Sequence, residues 1–193
     1  MATITRSSAP EAQIIAPESR IRVEQWAQMP ETKPHYELIE GELKRKMPTR
    51  RGHTHVIAML IYFLMTWGYE KGWIFNGKGT GTRIDDDNGF VPDLVGFAPG
   101  TQLDFDAVYD DPPFLICEVL SRSTAANDRD IKKRGYVRAG IEIYLIVDVD
   151  NQTVEVYRLN GETYGDPEIL GGDDVWQPRE FDGLQLELAK LWV

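Results

Sequence analysis

Residues 114–121 read FLICEVLS, a run of six apolar residues that also contains Glu118. Because strand side chains alternate between two faces, Glu118 is predicted to share a face with Leu120 and to oppose Cys117. An unpaired carboxylate buried in such a run would cost several kcal/mol. The stretch therefore predicts a buried strand whose glutamate has a cation beside it, either a side chain in a structural ion pair or a metal ion.

A second acid, Asp93, lies in the run FVPDLVGF at residues 90–97. Pro92 favours an extended backbone before it, so Asp93 is predicted to enter an apolar strand. If Asp93 and Glu118 point inward from adjacent strands, they repel each other unless they share a cation. A hard divalent ion such as Mg²⁺ prefers carboxylate and water oxygens and would satisfy both acids. Taken alone, each acid also has a structural interpretation.

A polar helical stretch at residues 124–139 supplies a third element. Asp128, Lys132 and Tyr136 recur in it at intervals of four and so share one helix face. Lys132 can reach back over the end of the Glu118 strand, where an ammonium group would stabilise a phosphate transition state or orient an attacking water. Lys132 alone has the simpler interpretation of a solvated helix residue. The order strand Asp, strand Glu, helix Lys favours a site.

The composition indicates one acidic domain of mixed α/β class. The chain has 193 residues, 42% of them hydrophobic, and a formal net charge of −10. Helical and strand patterns interleave, so we predict a mixed sheet flanked by helices over residues 19–193, preceded by a loose arm at residues 1–18. An acidic surface gives no help in binding nucleic acid, so such a site needs a local basic patch or bound cations.

The cysteine content and the longest apolar run bear on location. Cys117 has no partner for an intrachain disulfide, and no signal peptide is recognised, which together favour a reducing cytoplasm. The run VIAMLIYFLMTWGY at residues 56–69 is too short to span a bilayer. Its apolar residues recur with helical spacing, so we predict a core helix from about residue 53 to residue 70 and no membrane partner.

Two dipeptides predict β-hairpins. Glu40-Gly41 lies between two strand-like runs, and Asn160-Gly161 follows the run QTVEVYRL. Asn-Gly and related pairs favour the positive φ angles that tight hairpin turns require.

The order of these motifs resembles the Uma-two family, a family of restriction endonucleases within the PD-(D/E)xK nuclease superfamily. The resemblance rests on PDL at residues 92–94, ICEVLSRST at 116–124, D-x-x-x-K-x-x-x-Y at 128–136 and AGIEIYLIVD at 139–148. It extends to YELIEGEL near the start of the domain and covers roughly residues 20–193.

This resemblance implies a restriction-endonuclease-like core and a Mg²⁺-dependent endonuclease, with DNA as the expected partner and Mn²⁺ as a substitute ion. It implies that Asp93 and Glu118 bind the metal together with the backbone carbonyl of Val119. The lysine that the superfamily places two residues after the glutamate is replaced here by Leu120. Lys132 is implied as its migrated substitute.

Two further residues are implied as members of the site. Glu42 matches a recurrent acid of the family and would support the metal or a water, the alternative being an exposed hairpin glutamate. His53 matches a recurrent histidine and would contact phosphate or carry a proton, unless it only begins the helix. The basic stretch KRKMPTRRGH at residues 44–53 would contact phosphates or form a solvated loop.

Alternatives stay open at this point. A catalytically inactive member of the fold would bind nucleic acid or protein, and both Leu120 and the pI near 4.8 favour it. A serine or cysteine hydrolase is disfavoured, because no G-x-S-x-G occurs and neither Cys117 nor Ser121 has an evident histidine partner. A homodimer would place two sites on the two strands of a duplex, although no sequence feature requires it.

Overall fold

A computed structural model describes residues 20–30, 35–46, 49–79, 81–103, 111–121 and 124–192. The arm expected at residues 1–18 lies outside these ranges. Within them the strands are β1 (Tyr36–Ile39), β2 (Glu42–Arg45), β3 (Ile74–Gly77), β4 (Thr82–Asp85), β5 (Asn88–Phe90), β6 (Leu94–Phe97), β7 (Leu115–Val119), β8 (Ile143–Asp148), β9 (Thr153–Asn160), β10 (Thr163–Tyr164), β11 (Glu168–Gly171), β12 (Val175–Trp176) and β13 (Leu186–Glu187).

The helices are α1 (Val23–Ala27), α2 (Arg51–Gly68), α3 (Ala125–Asn127) and α4 (Lys133–Arg138). Short 3₁₀ turns follow at Tyr69–Lys71 and Leu188–Lys190. A π-helical turn joins α3 to α4, so residues 125–138 run as one continuous helix, called the 125–138 helix below. None of the helices in the described ranges combines the length and apolar character that a bilayer span requires.

A mixed sheet forms the centre of the fold, as the sequence predicts. Its strand order is β10-β9-β8-β7-β6-β3, and β11 also pairs with β9. The strands β7 and β8 run parallel, whereas β6 and β7 run antiparallel. Parallel neighbours need a crossover connection, and the 125–138 helix provides it. The sheet therefore brings the FLICEVLS strand next to both the VPDLVGF strand and the crossover helix.

The two faces of β7 pack into different apolar cores. Leu115, Cys117 and Val119 join the core beneath α2, while Ile116 joins the core on the opposite face. This is the alternation expected from the run, with Glu118 on the face of Ile116. Cys117 is buried, as a core residue would be.

A smaller sheet, ordered β2-β1-β5-β4, lies beside the central one. The predicted hairpin between β1 and β2 is confirmed, with positive φ angles at Glu40 and Gly41 of 52° and 79°. The Asn160-Gly161 hairpin is confirmed as well, since β9 pairs antiparallel with β10 across it. The first hairpin matters for function because it carries charged residues to the edge of the site.

Candidate active site

The antiparallel register between β6 and β7 places the two predicted acids opposite each other. Leu94 pairs with Cys117, so continuing the ladder by one residue sets Asp93 opposite Glu118. Both side chains are buried, with 3% and 2% of their surface exposed. The backbone N–H of Val119 donates a hydrogen bond to Asp93 Oδ2 at 3.0 Å, which fixes this carboxylate against the end of β7.

The 125–138 helix delivers the predicted lysine to Glu118. Lys132 Nζ donates to Glu118 Oε1 at 2.8 Å, and the Tyr136 hydroxyl donates to the same oxygen at 2.7 Å. Asp128 Oδ1 lies 3.5 Å from Lys132 Nζ, one helical turn earlier. The helix face of Asp128, Lys132 and Tyr136 therefore faces the carboxylate rather than solvent.

A third acid, Glu37 on β1, enters the cluster, and sequence reasoning missed it. Its Oε1 lies 2.9 Å from Lys132 Nζ and accepts the backbone N–H of Val91 at 2.9 Å. Glu37 is only 5% exposed. The signal that identified Glu118 was present here too, because Glu37 is a carboxylate inside the apolar strand YELI.

His53 lies in the first turn of α2 and reaches the same centre. Its Nε2 lies 3.1 Å from Asp93 Oδ2, and its side chain is buried. Asp93 Oδ2 is thus held from two sides, by the imidazole and by the Val119 N–H. His55, two residues later, is exposed and takes no part.

Lys46 is the second cation of the cluster and was expected only as part of a basic stretch. Its Nζ donates to the carbonyl of Val91 at 2.5 Å. It lies 3.5 Å from Asp93 Oδ1, 3.6 Å from Glu37 Oε1 and 3.9 Å from Glu118 Oε2. Glu37, Asp93 and Glu118 therefore all lie close to the same Lys46 ammonium group.

The hydrogen-bond pattern leaves one oxygen of each central acid free of close side-chain donors. Both side-chain donors to Glu118 use Oε1, and both donors to Asp93 use Oδ2. Asp93 Oδ1 is buried and has no hydrogen-bond partner among the described residues. The other two oxygens, Asp93 Oδ1 and Glu118 Oε2, both face the Lys46 ammonium.

The pKa values of the two central acids shift in opposite directions. Burial raises the pKa of Glu118 to about 7, although the Lys132 ammonium opposes this. Burial also raises the pKa of Asp93, but the His53 hydrogen bond and the Lys46 ammonium outweigh it, so the pKa of Asp93 lies well below its usual range. Burial lowers the pKa of Lys46 and of Lys132. The surrounding carboxylates raise each pKa by more than burial lowers it, so both lysines stay protonated.

The charged residues of the cluster form the floor of a cavity of about 570 Å³. This floor consists of Glu37, Lys46, His53, Asp93, Glu118, Asp128 and Lys132. Arg45, Arg50 and Lys78 line the wall of the cavity, together with Leu120 and Arg129. Within the described ranges Arg45, Arg50 and Lys78 form no ion pair, whereas Arg129 is held by Glu155 at 2.5 Å. The wall therefore carries three cations without an ion-pair partner in these ranges, alongside the acids Asp148 and Asp150.

The family is established by comparison with known proteins. The family model described as "Uma2: Putative restriction endonuclease" matches residues 23–189. The chain belongs to the Uma2 family. A crystal structure of "a putative nuclease belonging to DUF820 from Anabaena variabilis" superposes with a TM-score of 0.75 at 19% identity, covering 89% of this chain and 97% of that one. The comparison with curated protein sequences gave no match.

The superposition shows that this Uma2 protein shares the mixed α/β fold of that solved protein. Leu120, at the position of the superfamily's lysine, lines the cavity and packs against the core on the Glu118 face. The ammonium group that the motif lacks at Leu120 reaches Glu118 from Lys132 on the crossover helix. The structure thus brings a lysine to the second acid by a different route.

Glu42 is the one predicted site residue that the structure does not bring to the cluster. It shares the hairpin face of Lys44 and Lys46 but lies next to the turn, about 13 Å along the strand from Lys46. It is half exposed and pairs with Lys44. The acid that the hairpin contributes is Glu37, because Glu37 lies at the buried, distal end of the same face.

The donor set suits a hard divalent cation, although no ready-made cage is present. Among the described residues, no group of three or more His, Cys, Asp or Glu side chains is arranged to hold an ion. Mg²⁺ does not need such a cage, since it keeps several waters and binds through one or two carboxylates. In the described part of the chain, four buried acids also outnumber the two lysines of the cluster: Glu37, Asp93, Glu118 and Asp128 against Lys46 and Lys132.

Proposed function

We propose that this Uma2 protein is a metal-dependent endonuclease that hydrolyses phosphodiester bonds in DNA. The observation that carries the proposal is the arrangement of Asp93 and Glu118. Each acid uses one oxygen for hydrogen bonds within the protein, and the other oxygen of each faces the same Lys46 ammonium group, at 3.5 Å and 3.9 Å. A buried pair of this kind is what a nuclease needs to hold a cation against a phosphodiester.

Asp93 Oδ1 and Glu118 Oε2 would hold Mg²⁺, or Mn²⁺ in its place, with the carbonyl of Val119 as an additional oxygen. When bound, the ion supplies Lewis-acid activation of the phosphodiester and of the attacking water. The environment of Glu118 supports this assignment, because burial raises its pKa despite the two lysines, and a bound cation would offset that cost of holding the carboxylate ionised.

The remaining residues of the floor position these two acids. Lys132 holds Glu118 Oε1 and places a positive charge beside the space where the reacting phosphate would lie. Glu37 in turn holds Lys132 through a contact of 2.9 Å. His53 fixes Asp93 Oδ2, while Oδ1 faces the Lys46 ammonium group at 3.5 Å.

The cavity wall supports a polyanionic substrate. The chain carries a net charge of −10, yet the wall carries Arg45, Arg50 and Lys78, none of them in an ion pair within the described ranges. Most other arginines of the described part are paired with acids, as Arg158 is with Glu168. Unpaired cations gathered at one cavity in an acidic protein are suited to backbone phosphates.

A cleavage assay tests the proposal. Purified wild type, Asp93→Asn, Glu118→Gln and Glu42→Gln would be incubated with supercoiled plasmid and with single-stranded DNA in Mg²⁺, Mn²⁺ or EDTA. We expect wild type and Glu42→Gln to cleave with either ion and not with EDTA. Both floor variants should lose at least about a hundredfold in rate, because each lacks one of the two carboxylates proposed to position the ion against the phosphodiester.

Glu42→Gln is a matched control, since it makes the same type of change at an acid outside the floor. Full activity in both Asp93→Asn and Glu118→Gln would refute the assignment. DNA binding by wild type without cleavage under any of these conditions would favour the inactive binding module instead.

A further inference from the structure

Lys46 extends from the end of the first hairpin into the acidic floor. Its backbone N–H donates to the carbonyl of His35 at 2.8 Å, which continues the ladder between β1 and β2 by one step. Its side chain is 11% exposed. The ammonium group is therefore a built part of the cavity floor and not a solvated loop charge.

The two lysines of the floor are bound in different ways. Lys132 Nζ makes direct hydrogen bonds to carboxylates, at 2.8 Å to Glu118 and 2.9 Å to Glu37. Lys46 Nζ lies 3.5 to 3.9 Å from its three carboxylates, and within the described part of the chain its one close acceptor is the Val91 carbonyl. Lys46 thus acts on the acids as a point charge shared among them, and it is the less firmly held of the two.

Lys46 lies next to the two carboxylate oxygens that would bind the divalent cation. It faces Asp93 Oδ1 and Glu118 Oε2, whereas Lys132 faces Glu118 Oε1. A divalent ion bound to both free oxygens would lie at about 2.1 Å from each. An ammonium group a few ångströms away repels such an ion, and in a buried site this repulsion is only weakly screened.

We propose that Lys46 is a tethered competitor for the divalent cation, an ammonium group that neutralises Asp93 and Glu118 in the metal-free protein and withdraws when the ion binds. This inference rests on the metal site of the proposed function. It predicts that Lys46 stabilises the metal-free protein and weakens its affinity for the ion. The opposite role, in which Lys46 arranges the carboxylates for the ion, predicts that its removal weakens metal binding.

Mn²⁺ titration by calorimetry, together with thermal unfolding with and without Mn²⁺, separates these roles. The samples would be full-length wild type, Lys46→Met, Lys44→Met and Asp93→Asn. Lys44→Met is the matched control, because it removes a lysine from the same strand and face, but an exposed one that pairs with Glu42.

We expect Lys46→Met to bind Mn²⁺ about tenfold more tightly than wild type, since the repelling charge is gone. Its melting temperature without metal should fall below that of wild type, and Mn²⁺ should raise it by more. Lys44→Met should match wild type in both measurements. Lys46→Gln keeps a donor for the Val91 carbonyl, so it provides the same affinity test if Lys46→Met does not fold.

Unchanged or weaker Mn²⁺ affinity in both Lys46 variants would overturn the inference. If wild type nevertheless binds Mn²⁺ and Asp93→Asn does not, the metal site of the proposed function stands without it. If neither wild type nor the Lys46 variants bind Mn²⁺, both the inference and the metal site fail.

Discussion

Lys132 Nζ lies 2.8 Å from Glu118 Oε1 and so joins the crossover helix to β7. The same ammonium lies 2.9 Å from Glu37 Oε1, on a strand of the smaller sheet. One buried lysine therefore ties together the central sheet, the smaller sheet and the 125–138 helix.

Replacing Lys132 with Met should lower the free energy of unfolding by about 3–5 kcal/mol, because it leaves buried carboxylates without their closest cation. Urea denaturation in the absence of metal measures the loss. Arg134→Met is the control, since it removes a positive charge from the same helix at an exposed ion pair with Asp130. Exposed pairs of this kind contribute about 0–1 kcal/mol. Equal losses in the two variants would contradict the bridging role.

Glu118 should make stability fall as pH rises. Its pKa is about 7 in the folded protein, against an ordinary value of 4.5, so between these limits the folded state binds more protons than the unfolded state. The free energy of unfolding therefore decreases with pH across this window, by about 3 kcal/mol for this one group. Gln does not titrate, so Glu118→Gln lacks this contribution.

The test is the difference in unfolding free energy between wild type and Glu118→Gln, taken from urea curves between about pH 4.5 and about pH 8. Taking the difference removes the titration of groups shared by both proteins. We expect the advantage of wild type to shrink up to about pH 7 and then to level off. A difference that stays constant across the range would show that Glu118 titrates normally.

Much of this fold could be predicted from local patterns. The period-two alternation in FLICEVLS and the helical spacing at residues 53–70 each come from a single element burying one face against a core. The helix α2 is observed at Arg51–Gly68, close to the predicted bounds. The two hairpins were predicted from their turn dipeptides, because such turns depend on local backbone preferences.

The composition of the floor was harder to predict, because it depends on which elements meet. Glu37 and Glu42 are both hairpin glutamates, and only the docking of the smaller sheet against the 125–138 helix shows that Glu37 is the buried one. The position of Lys46 in the cavity floor was equally hard to predict, because Lys46 lies in a run of basic residues. Its function as a counter-ion follows from a register that continues one step beyond β2.

The crossover helix packs closely at Gly135, and this contact should be sensitive to one added methyl group. A Cβ at Gly135 would lie 2.7 Å from Phe90 Cε2 and 3.3 Å from Ile84 Cγ2. Phe90 is fully buried and cannot move aside. Gly135→Ala should therefore destabilise the protein by about 1–3 kcal/mol, even though Ala is the better helix former.

Gly52→Ala serves as the comparison for Gly135→Ala in thermal and urea unfolding. Gly52 is also helical, but its Cβ would meet Val149 Cγ1 at 3.5 Å, an ordinary contact. This variant should be neutral or more stable by up to about 1 kcal/mol. If Gly135→Ala were also stabilising, the helix would have to sit further from the sheet than the structure places it.

The cations of the cavity wall should determine how DNA binding depends on salt. Arg45, Arg50 and Lys78 form no ion pair within the described ranges, so each is available to a backbone phosphate. Every phosphate contact contributes about 0.9 to the slope of log K against log salt concentration. Replacing any one of the three with Ala should reduce the slope by about that amount and weaken binding to all DNA sequences alike.

Fluorescence anisotropy with a labelled duplex in EDTA measures this slope without cleavage. Arg179→Ala is the control, because Arg179 is 84% exposed, pairs with Glu180 and does not line the cavity. It removes the same charge from the protein as a whole, so it separates a local phosphate contact from a change in net charge. An equal drop in slope for Arg179→Ala and the wall variants would place the DNA elsewhere on the surface, whereas a drop confined to the wall variants would place it over the acidic floor.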